Sequence, residues 1–245
     1  MNKINSQIII YLMGVLLLFN GIFMFLSAFV SIISNDGVIL EISLAATTVV
    51  IFGSILMFLT KNHSKKIQKK DGYIIVALGW ILMSFSGTLP YLFTNSIPNF
   101  TNAIFETTSG YTTTGSSILT DIEILPKSII FWRSTTHWIG GMGIIVLTIA
   151  ILPLLGVGGM QLFSAEAPGP NSDKLHPRIT DTAKRLWYIY VGFTLTETIL
   201  LKFAGMTFFD AINHSMSTIA TGGFSTKNLS LSYWNYNPLI QYIII

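Results

Sequence analysis

The sequence has no cysteine and very little charge. Without thiols, the chain can form neither disulfides nor thiolate metal sites. Only 10% of its 245 residues are charged, whereas soluble domains contain about a quarter. Two runs, 7–33 and 42–60, contain no Asp, Glu, Lys or Arg at all. Each run is long enough for a helix that crosses about 30 Å of hydrocarbon, so we predict an all-α integral membrane protein.

Two simpler interpretations are excluded by length and spacing. A cleaved signal peptide does not explain the first run, which is too long, has only Lys3 as its basic flank and lacks a small-residue cleavage site. The four histidines (His63, His137, His176 and His214) are scattered without the spacing of metal ligands. We therefore expect no zinc site.

The basic residues indicate how the chain is oriented. Five lysines lie in segment 61–71, and a second basic stretch lies in 174–185. Placing both segments inside puts ten Lys and Arg residues on the cytoplasmic side and four near the outer side. That distribution follows the positive-inside rule and predicts a cytoplasmic N-terminus in a multi-pass protein. Binding of anionic lipid by the lysines is a second interpretation, although orientation alone explains them.

The hydrophobic runs and this orientation divide the chain into four parts. We predict membrane-spanning helices over 7–33, 38–60, 72–93, 127–155 and 183–205. The predicted parts are an N-terminal transmembrane hairpin with a basic cytoplasmic loop (1–71), a first helix–pore loop–helix unit (72–155), a cytoplasmic loop (156–182) and a second unit with an incomplete last helix (183–245).

The segment between helices 72–93 and 127–155 begins and ends outside, so it cannot cross the membrane. It is nevertheless too apolar for an ordinary external loop, which favours a re-entrant segment. A helix over 100–110 would be about 16 Å long, roughly half of the hydrocarbon core. Non-helical backbone at that depth is tolerated only inside protein or beside a water-filled cavity. A polar extracellular turn is the alternative interpretation of "TTTGSS".

The chemistry of such a loop suits a cation. A half-helix that enters from outside directs the negative end of its dipole at the membrane centre. The following "TTTGS" offers a series of backbone carbonyls, and its glycine permits backbone angles that other residues avoid. Carbonyl rings that replace a hydration shell are the basis of potassium-selective filters.

The same pattern recurs 108 residues later, which decides between the two interpretations. Aligning 100–117 with 208–225 gives seven identical positions out of eighteen, including Thr113 with Thr221 and Gly115 with Gly223. Each copy follows an outgoing helix and precedes a returning one. Such repeats predict units arranged around an axis along the membrane normal. Two accidental polar turns would not share this register, so we favour a pore filter.

Several motifs carry a family resemblance. The stretches "GYTTTGSS", "FWRSTTHWIGGMGI", "AEAPGP", "DKLHPRITDTAKRLWYIY" and "IATGGFST" resemble the potassium-translocating subunit of the bacterial Trk and Ktr systems. The Trk type is the more similar, since it carries two additional N-terminal helices like those predicted over 7–60. The resemblance covers essentially the whole chain from residue 72 onward. It implies four helix–pore loop–helix units around one potassium path in the bacterial cytoplasmic (inner) membrane.

The resemblance also implies functional residues, with potassium as the transported ion and no cofactor in this chain. The implied potassium-binding filter residues are Thr113, Thr114, Gly115, Thr221, Gly222 and Gly223. The residues expected to support the filter are Thr112, Ser116, Phe224, Glu106 and Arg133. In related plant transporters, serine at the position of Gly115 accompanies sodium transport.

Partners follow from the resemblance in the same way. It implies a homodimer in the lipid bilayer, gated by a cytosolic nucleotide-binding regulatory subunit, with no role for nucleic acid. The sequence contains no nucleotide-binding βαβ pattern, so nucleotide control would have to come from a separate protein. We predict that this subunit docks partly on the polar, proline-rich segment 161–182.

In one respect the sequence differs from the family pattern. It contains two filter units rather than four, so it looks like the N-terminal half of a transporter. Two units leave half of a coordination ring open, so we expect conduction only when a second chain or the other half completes it. A sodium or mixed-cation transporter and a non-conducting assembly subunit remain alternatives. An enzyme is disfavoured, because the sequence shows neither a paired nucleophile and base nor a metal site.

Three charged residues have two interpretations each. Glu106 occupies the position of His214 in the repeat and is interpreted as packing behind the filter, with direct ion contact as the alternative. Arg133 either braces the filter loop or extends to the outer interface. Glu197, an intramembrane carboxylate, is either functional or paired with another helix.

The predicted topology can be tested by cysteine labelling, since the chain has no native cysteine. A single cysteine introduced at position 65 should react with a membrane-impermeant thiol reagent only from the cytoplasmic side. One introduced at position 120 should react only from outside. External labelling at position 65 would contradict the whole predicted topology.

Overall fold

The computed structural model describes residues 4–62, 68–155 and 175–245. The described chain is helical, without β-strands in these ranges. In chain order the elements are α1 (Ser6–Ser34), α2 (Ile39–Leu59), α3 (Lys69–Gly87), α4 (Leu89–Phe93), α5 (Phe100–Tyr111), α6 (Lys127–Leu155), α7 (Leu175–Phe203), α8 (Phe208–Ile219), a 3₁₀ turn (Ser230–Trp234) and α9 (Pro238–Ile244).

Helices α1 and α2 form a tight antiparallel hairpin. The side chain of Asn5 caps the start of α1, and Asn35 and Gly37 form the turn with left-handed backbone angles. The two helices approach closely where Gly14 faces Gly53, since a Cβ on Gly53 would lie 2.9 Å from the Gly14 carbonyl oxygen. Small residues at such crossings are typical of membrane helix pairs, which have no hydrophobic force to hold them together.

Within the described residues, three spans are long and apolar enough to cross a membrane: Ser6–Ser34, Ile39–Leu59 and Lys70–Phe93. Helices α6 and α7 have 29 residues each, which corresponds to about 43 Å. Large apolar side chains such as Phe29, Phe58 and Leu59 are exposed, as expected for surfaces that face lipid.

The boundaries of two helices differ from the sequence prediction. The predicted helix 72–93 is divided at Thr88 into α3 and α4, because Pro90 near the start of α4 has no N–H for a continuous helix. Helix α7 begins at Leu175 rather than 183, with Pro177 in its first turn, where a missing N–H is tolerated. The rest of the predicted cytoplasmic loop 156–182 lies outside the described residues.

The two short helices α5 and α8 are the predicted half-helices. Each has 12 residues, about 18 Å of length, and each begins with a capping side chain, from Asn99 and Thr207 respectively. Helix α6 packs against both of them, and α7 packs against α8. Both short helices are therefore held within the helical assembly.

A carboxylate in the α1–α2 turn attaches the hairpin to α6. Asp36 accepts hydrogen bonds from the Ser128 backbone N–H at 2.9 Å and from the Ser128 hydroxyl at 2.7 Å, and also from the Ser31 hydroxyl. Burial disfavours the ionised form, but these hydrogen bonds outweigh it and hold the pKa of Asp36 below its ordinary value. The carboxylate thus caps the N-terminus of α6 from another helix pair.

Replacing Asp36 with alanine should therefore weaken the attachment of the hairpin. We expect a loss of about 1–3 kcal/mol in unfolding free energy, because the Ser128 N–H loses its charged acceptor. The measurement is denaturant or thermal unfolding of the purified protein in detergent. Thr47→Ala is the control, since the Thr47 hydroxyl is exposed and bonds only to its own helix. Equal stability of the two variants would contradict the assigned role of Asp36.

Candidate functional site

The segments that follow α5 and α8 have the same unusual backbone. We call residues 112–117 the first return segment and residues 220–225 the second. Thr113 and Thr221 have φ values of 54° and 55°, and Gly115 and Gly223 have φ values of 76° and 87°. A β-branched residue in this left-handed region is a rare outlier that costs about 1–3 kcal/mol. Its presence at both equivalent positions indicates a functional geometry rather than a local accident.

The hydrogen bonds that start each return segment repeat as well. Thr113 N donates to the Gly110 carbonyl at 3.0 Å and Thr114 N to the Ser109 carbonyl at 3.0 Å. The equivalent bonds, each 108 residues later, run from Thr221 N to Thr218 O at 2.7 Å and from Gly222 N to Ser217 O at 2.8 Å. The repeat seen in the sequence is therefore a repeat of backbone structure.

The two return segments lie side by side. A Cβ on Gly115 would overlap the carbonyl oxygen of Gly222, so this approach requires glycine at position 115. A Cβ on Gly223, by contrast, would meet no atom within 4 Å. The side chains of Thr112, Thr114 and Thr221 are exposed. Polar backbone and hydroxyl groups are thus concentrated on an accessible face where the two repeats meet.

Behind this face, α6 packs against the second return segment and the ends of both short helices. A Cβ on Gly140 would overlap the carbonyl group of Tyr111, and a Cβ on Gly222 would overlap the ring of His137. Thr136 similarly fills the space beside Gly110. Small residues on both sides let the helix approach the backbone directly.

A buried ion pair connects α6 to the first repeat. The Nε of Arg133 lies 2.6 Å from Oε1 of Glu106, and their side chains are 3% and 0% exposed. Glu106 also accepts hydrogen bonds from the Ser117 hydroxyl, at 2.9 and 3.1 Å, and from the Ile118 N–H at 3.0 Å. The carboxylate therefore lies between α6 and the end of the first return segment.

Arg133 also reaches the second repeat. Its Nη1 donates to the Ser225 carbonyl at 3.1 Å, and its guanidinium lies 3.6 Å from the centre of the Phe224 ring. His137, one turn further along α6, stacks on the same ring with a centroid distance of 3.8 Å. These two residues hold the second return segment from behind.

The second repeat has its own support at the position equivalent to Glu106. His214 bonds through Nε2 to the Ser225 hydroxyl at 3.0 Å and through Nδ1 to the Asp210 carbonyl at 2.8 Å. Ser225 and Ser117 are equivalent in the repeat, so a polar side chain on the short helix contacts the same serine in both units. Asp210 in turn accepts a 2.6 Å hydrogen bond from Thr226.

Outside the return segments, the two loops contact each other. Asn228 accepts a hydrogen bond from the Ile122 N–H at 2.7 Å and donates one to Asp121 at 2.8 Å. Lys227 lies 3.5 Å from the carboxylate of Glu123, with both side chains partly exposed. The outer loops of the two units are thereby joined.

The structure brings together most of the residues singled out in the sequence. Glu106, Arg133 and Phe224 contact one another or the return segments directly, whereas Ser116 is exposed. Glu197, 7% exposed on α7, forms its hydrogen bond with Thr218 of α8, and its Oε1 has no partner in the described part of the chain. In the same part, no group of three or more His, Asp or Glu side chains could hold a metal ion.

Sequence reasoning missed two residues that build the site, His137 and Tyr111. His137 lacks an acidic partner, but its position four residues after Arg133 places both on one face of α6. Gly140 and Gly141 follow on the same helix. Polar residues four apart, followed by two glycines, are the signal that could have identified a surface of α6 packed against backbone.

Breaking the buried ion pair should strongly destabilise the protein. We expect Glu106→Gln to cost about 3–5 kcal/mol of unfolding free energy, because it leaves Arg133 buried without its counter-ion. Replacing Lys227 with methionine, which removes the exposed pair to Glu123, should cost about 0–1 kcal/mol. Unfolding in detergent measures both changes. A Glu106→Gln protein no less stable than the Lys227→Met protein would contradict the assigned ion pair.

Comparisons with known proteins show which family the sequence matches. Residues 40–245 match the family described as TrkH, cation transport protein. The Trk system potassium uptake protein TrkH of Vibrio parahaemolyticus is 44% identical over 230 residues, which cover 93% of this chain and 47% of that protein. The TrkH protein of Escherichia coli K12 is 45% identical over 231 residues, with the same coverage.

A solved structure shows the same fold. The crystal structure of the potassium transporter TrkH from Vibrio parahaemolyticus superposes with a TM-score of 0.86 at 38% sequence identity, covering 98% of this chain and 48% of that one. The chain spans about half the length of the curated relatives that it matches. These matches and the helical fold confirm the prediction of an all-α membrane protein. The chain belongs to the TrkH family of cation transport proteins.

Proposed function

We propose that this chain forms half of a potassium uptake transporter, in which residues 113–115 and 221–223 are two walls of the ion filter. The observation that carries this proposal is the repeated backbone, with left-handed threonine and glycine at both sites. The relatives are named as potassium uptake proteins, which favours potassium as the transported ion. The protein would work in a bacterial inner membrane with its N-terminus in the cytoplasm, as the distribution of its basic residues favours.

The backbone angles suit a row of carbonyl ligands. In an extended strand successive carbonyls point in opposite directions. Here Thr113 and Gly115 are left-handed, and Thr114 between them has another conformation. The same alternation occurs 108 residues later. Such alternation allows successive carbonyls to turn toward one side, where they can replace the water around a dehydrated cation. The hydroxyls of Thr112 and Thr114, 2.8 Å apart, add oxygens to the same exposed face.

The short helices add a favourable field. Helices α5 and α8 both end at the return segments, so the negative ends of their dipoles lie next to the proposed ion path. Neither helix has a basic side chain in its last turn. A cation beside these segments would therefore be attracted by both helices without competition from a lysine or arginine there.

Two return segments surround only part of an ion. We propose that the remaining ligands come from a second pair of units, either in a longer polypeptide or in a second chain. A homodimer and a cytosolic nucleotide-binding subunit of the Trk type are the partners that the family resemblance implies. Docking of that subunit on 161–182 stays a prediction, because most of this segment lies outside the described residues.

Serine substitutions at the filter glycines test the proposal in a full-length transporter that contains this sequence. Gly115→Ser should reduce selectivity for potassium over sodium about tenfold or more, since it adds a left-handed strain of about 1–2 kcal/mol and a collision with the Gly222 carbonyl. Gly223→Ser adds only the strain, so its effect should be smaller. The measurement is flux of each ion into proteoliposomes.

Gly37→Ser is the matched control. Gly37 has φ 80°, and a Cβ added there would meet no atom within 4 Å, as at Gly223, but this glycine lies in the α1–α2 turn. The selectivity of the Gly37→Ser protein should equal that of the unmodified protein. Unchanged selectivity in both filter variants would refute the filter assignment. Equal flux of sodium and potassium through the unmodified protein would favour a mixed-cation transporter, and absence of flux would favour an assembly subunit.

A further inference from the structure

The hydroxyl of Tyr111 connects the N-terminal hairpin to the first return segment. Tyr111 is the last residue of α5, and the strained Thr113 follows two positions later. The hydroxyl donates a 2.5 Å hydrogen bond to Oδ1 of Asn20, in the middle of α1. Both side chains are fully buried. A helix outside the two repeated units therefore makes a polar contact at the base of the proposed filter.

Asn20 is itself fixed by a second contact. Its Nδ2 donates to the Ser86 hydroxyl at 2.8 Å, and Ser86 donates in turn to the Met83 carbonyl of α3 at 3.2 Å. Each polar side-chain atom in this series has a hydrogen-bond partner, from the phenol to the helical carbonyl. A satisfied polar network in a buried site specifies one arrangement, because any other leaves polar groups unpaired in an apolar environment.

Tyr111 is held on its other sides as well. A Cβ on Gly87 would lie 2.7 Å from the Tyr111 ring, and a Cβ on Gly140 would overlap the Tyr111 carbonyl. Helices α1, α3 and α6 thus converge on this one residue. The N–H groups of Thr113 and Thr114 bond to carbonyls of the last turn of α5, so a shift of that turn displaces the first return segment.

The second repeat has no equivalent contact. Ile219 occupies the position of Tyr111 and has no hydroxyl to donate. This hydrogen bond from the hairpin therefore reaches the end of α5 and has no counterpart at the end of α8. The Tyr111–Asn20 hydrogen bond is therefore specific to the first repeat and is not part of the packing that the two repeats share.

We propose that Asn20 is a positioning residue that controls ion selectivity from the N-terminal hairpin, by fixing the end of α5 through Tyr111. This proposal rests on the filter function proposed above. Asn20 does not contact the ion; it acts through the conformation of the first return segment.

The test compares Tyr111→Phe and Asn20→Leu in the full-length transporter, reconstituted in proteoliposomes. Each variant removes the shared hydrogen bond with little change in side-chain volume. Each should lower selectivity for potassium over sodium by about threefold to tenfold, the range expected for one buried hydrogen bond. The double variant should be no less selective than the less selective of the two single variants, because both changes remove the same hydrogen bond.

Ser27→Ala is the matched control. Ser27 is also buried on α1, but its hydroxyl bonds only to the Phe23 carbonyl of the same helix. The selectivity of the Ser27→Ala protein should equal that of the unmodified protein. If Asn20→Leu does not fold, the smaller change Tyr111→Phe decides the test. Lower stability without any change of selectivity in Tyr111→Phe would show a purely structural role and overturn the proposal.

Gly115→Ser in the same preparation separates this proposal from the filter assignment. If Gly115→Ser loses selectivity while Tyr111→Phe and Asn20→Leu keep it, the filter stands and the role of Asn20 is refuted. If Gly115→Ser and Gly223→Ser both keep their selectivity, the filter assignment fails and the role of Asn20 fails with it.

Discussion

Non-helical backbone at membrane depth needs support from protein, because hydrocarbon offers no hydrogen-bond partners. In this structure α6 supports both return segments, the second by direct contact and the first through Glu106. Arg133 joins Glu106 of the first unit to the Ser225 carbonyl of the second, and His137 stacks on Phe224. These contacts use a buried charge and glycines that have no room for a side chain. The geometry of both segments therefore depends on the position of α6.

The two repeats share a backbone but are supported differently. The left-handed threonine and glycine occur in both, and so does a polar contact from the short helix to the following serine. Glu106 makes that contact in the first unit and pairs with Arg133, whereas His214 makes it in the second. The hairpin adds Asn20 and Asp36 to the first unit only. Two return segments with the same backbone geometry are therefore held by different side chains.

The sequence predicted the helices better than their contacts. Hydrophobic runs predicted both ends of α1 and α2 and the start of α6 within one or two residues, because length and lack of charge are properties of a single segment. The break at Thr88 and the early start of α7 depend on prolines whose effect varies with position in a helix. Glu106 and Arg133 were named as supports, but their pairing across 27 residues could not be predicted. Asn20 and Tyr111, separated by 91 residues, gave no signal, since no local pattern shows which helix faces meet.

The central claim is that residues 113–115 and 221–223 bind the transported cation through backbone oxygens. Locating Rb⁺ or Tl⁺ by anomalous scattering in crystals of the full-length transporter tests it most directly, because both ions substitute for potassium and scatter strongly. The account predicts anomalous peaks in contact with the carbonyls of both return segments. Ions bound elsewhere in the protein, with none at these segments under the same soaking conditions, would contradict it.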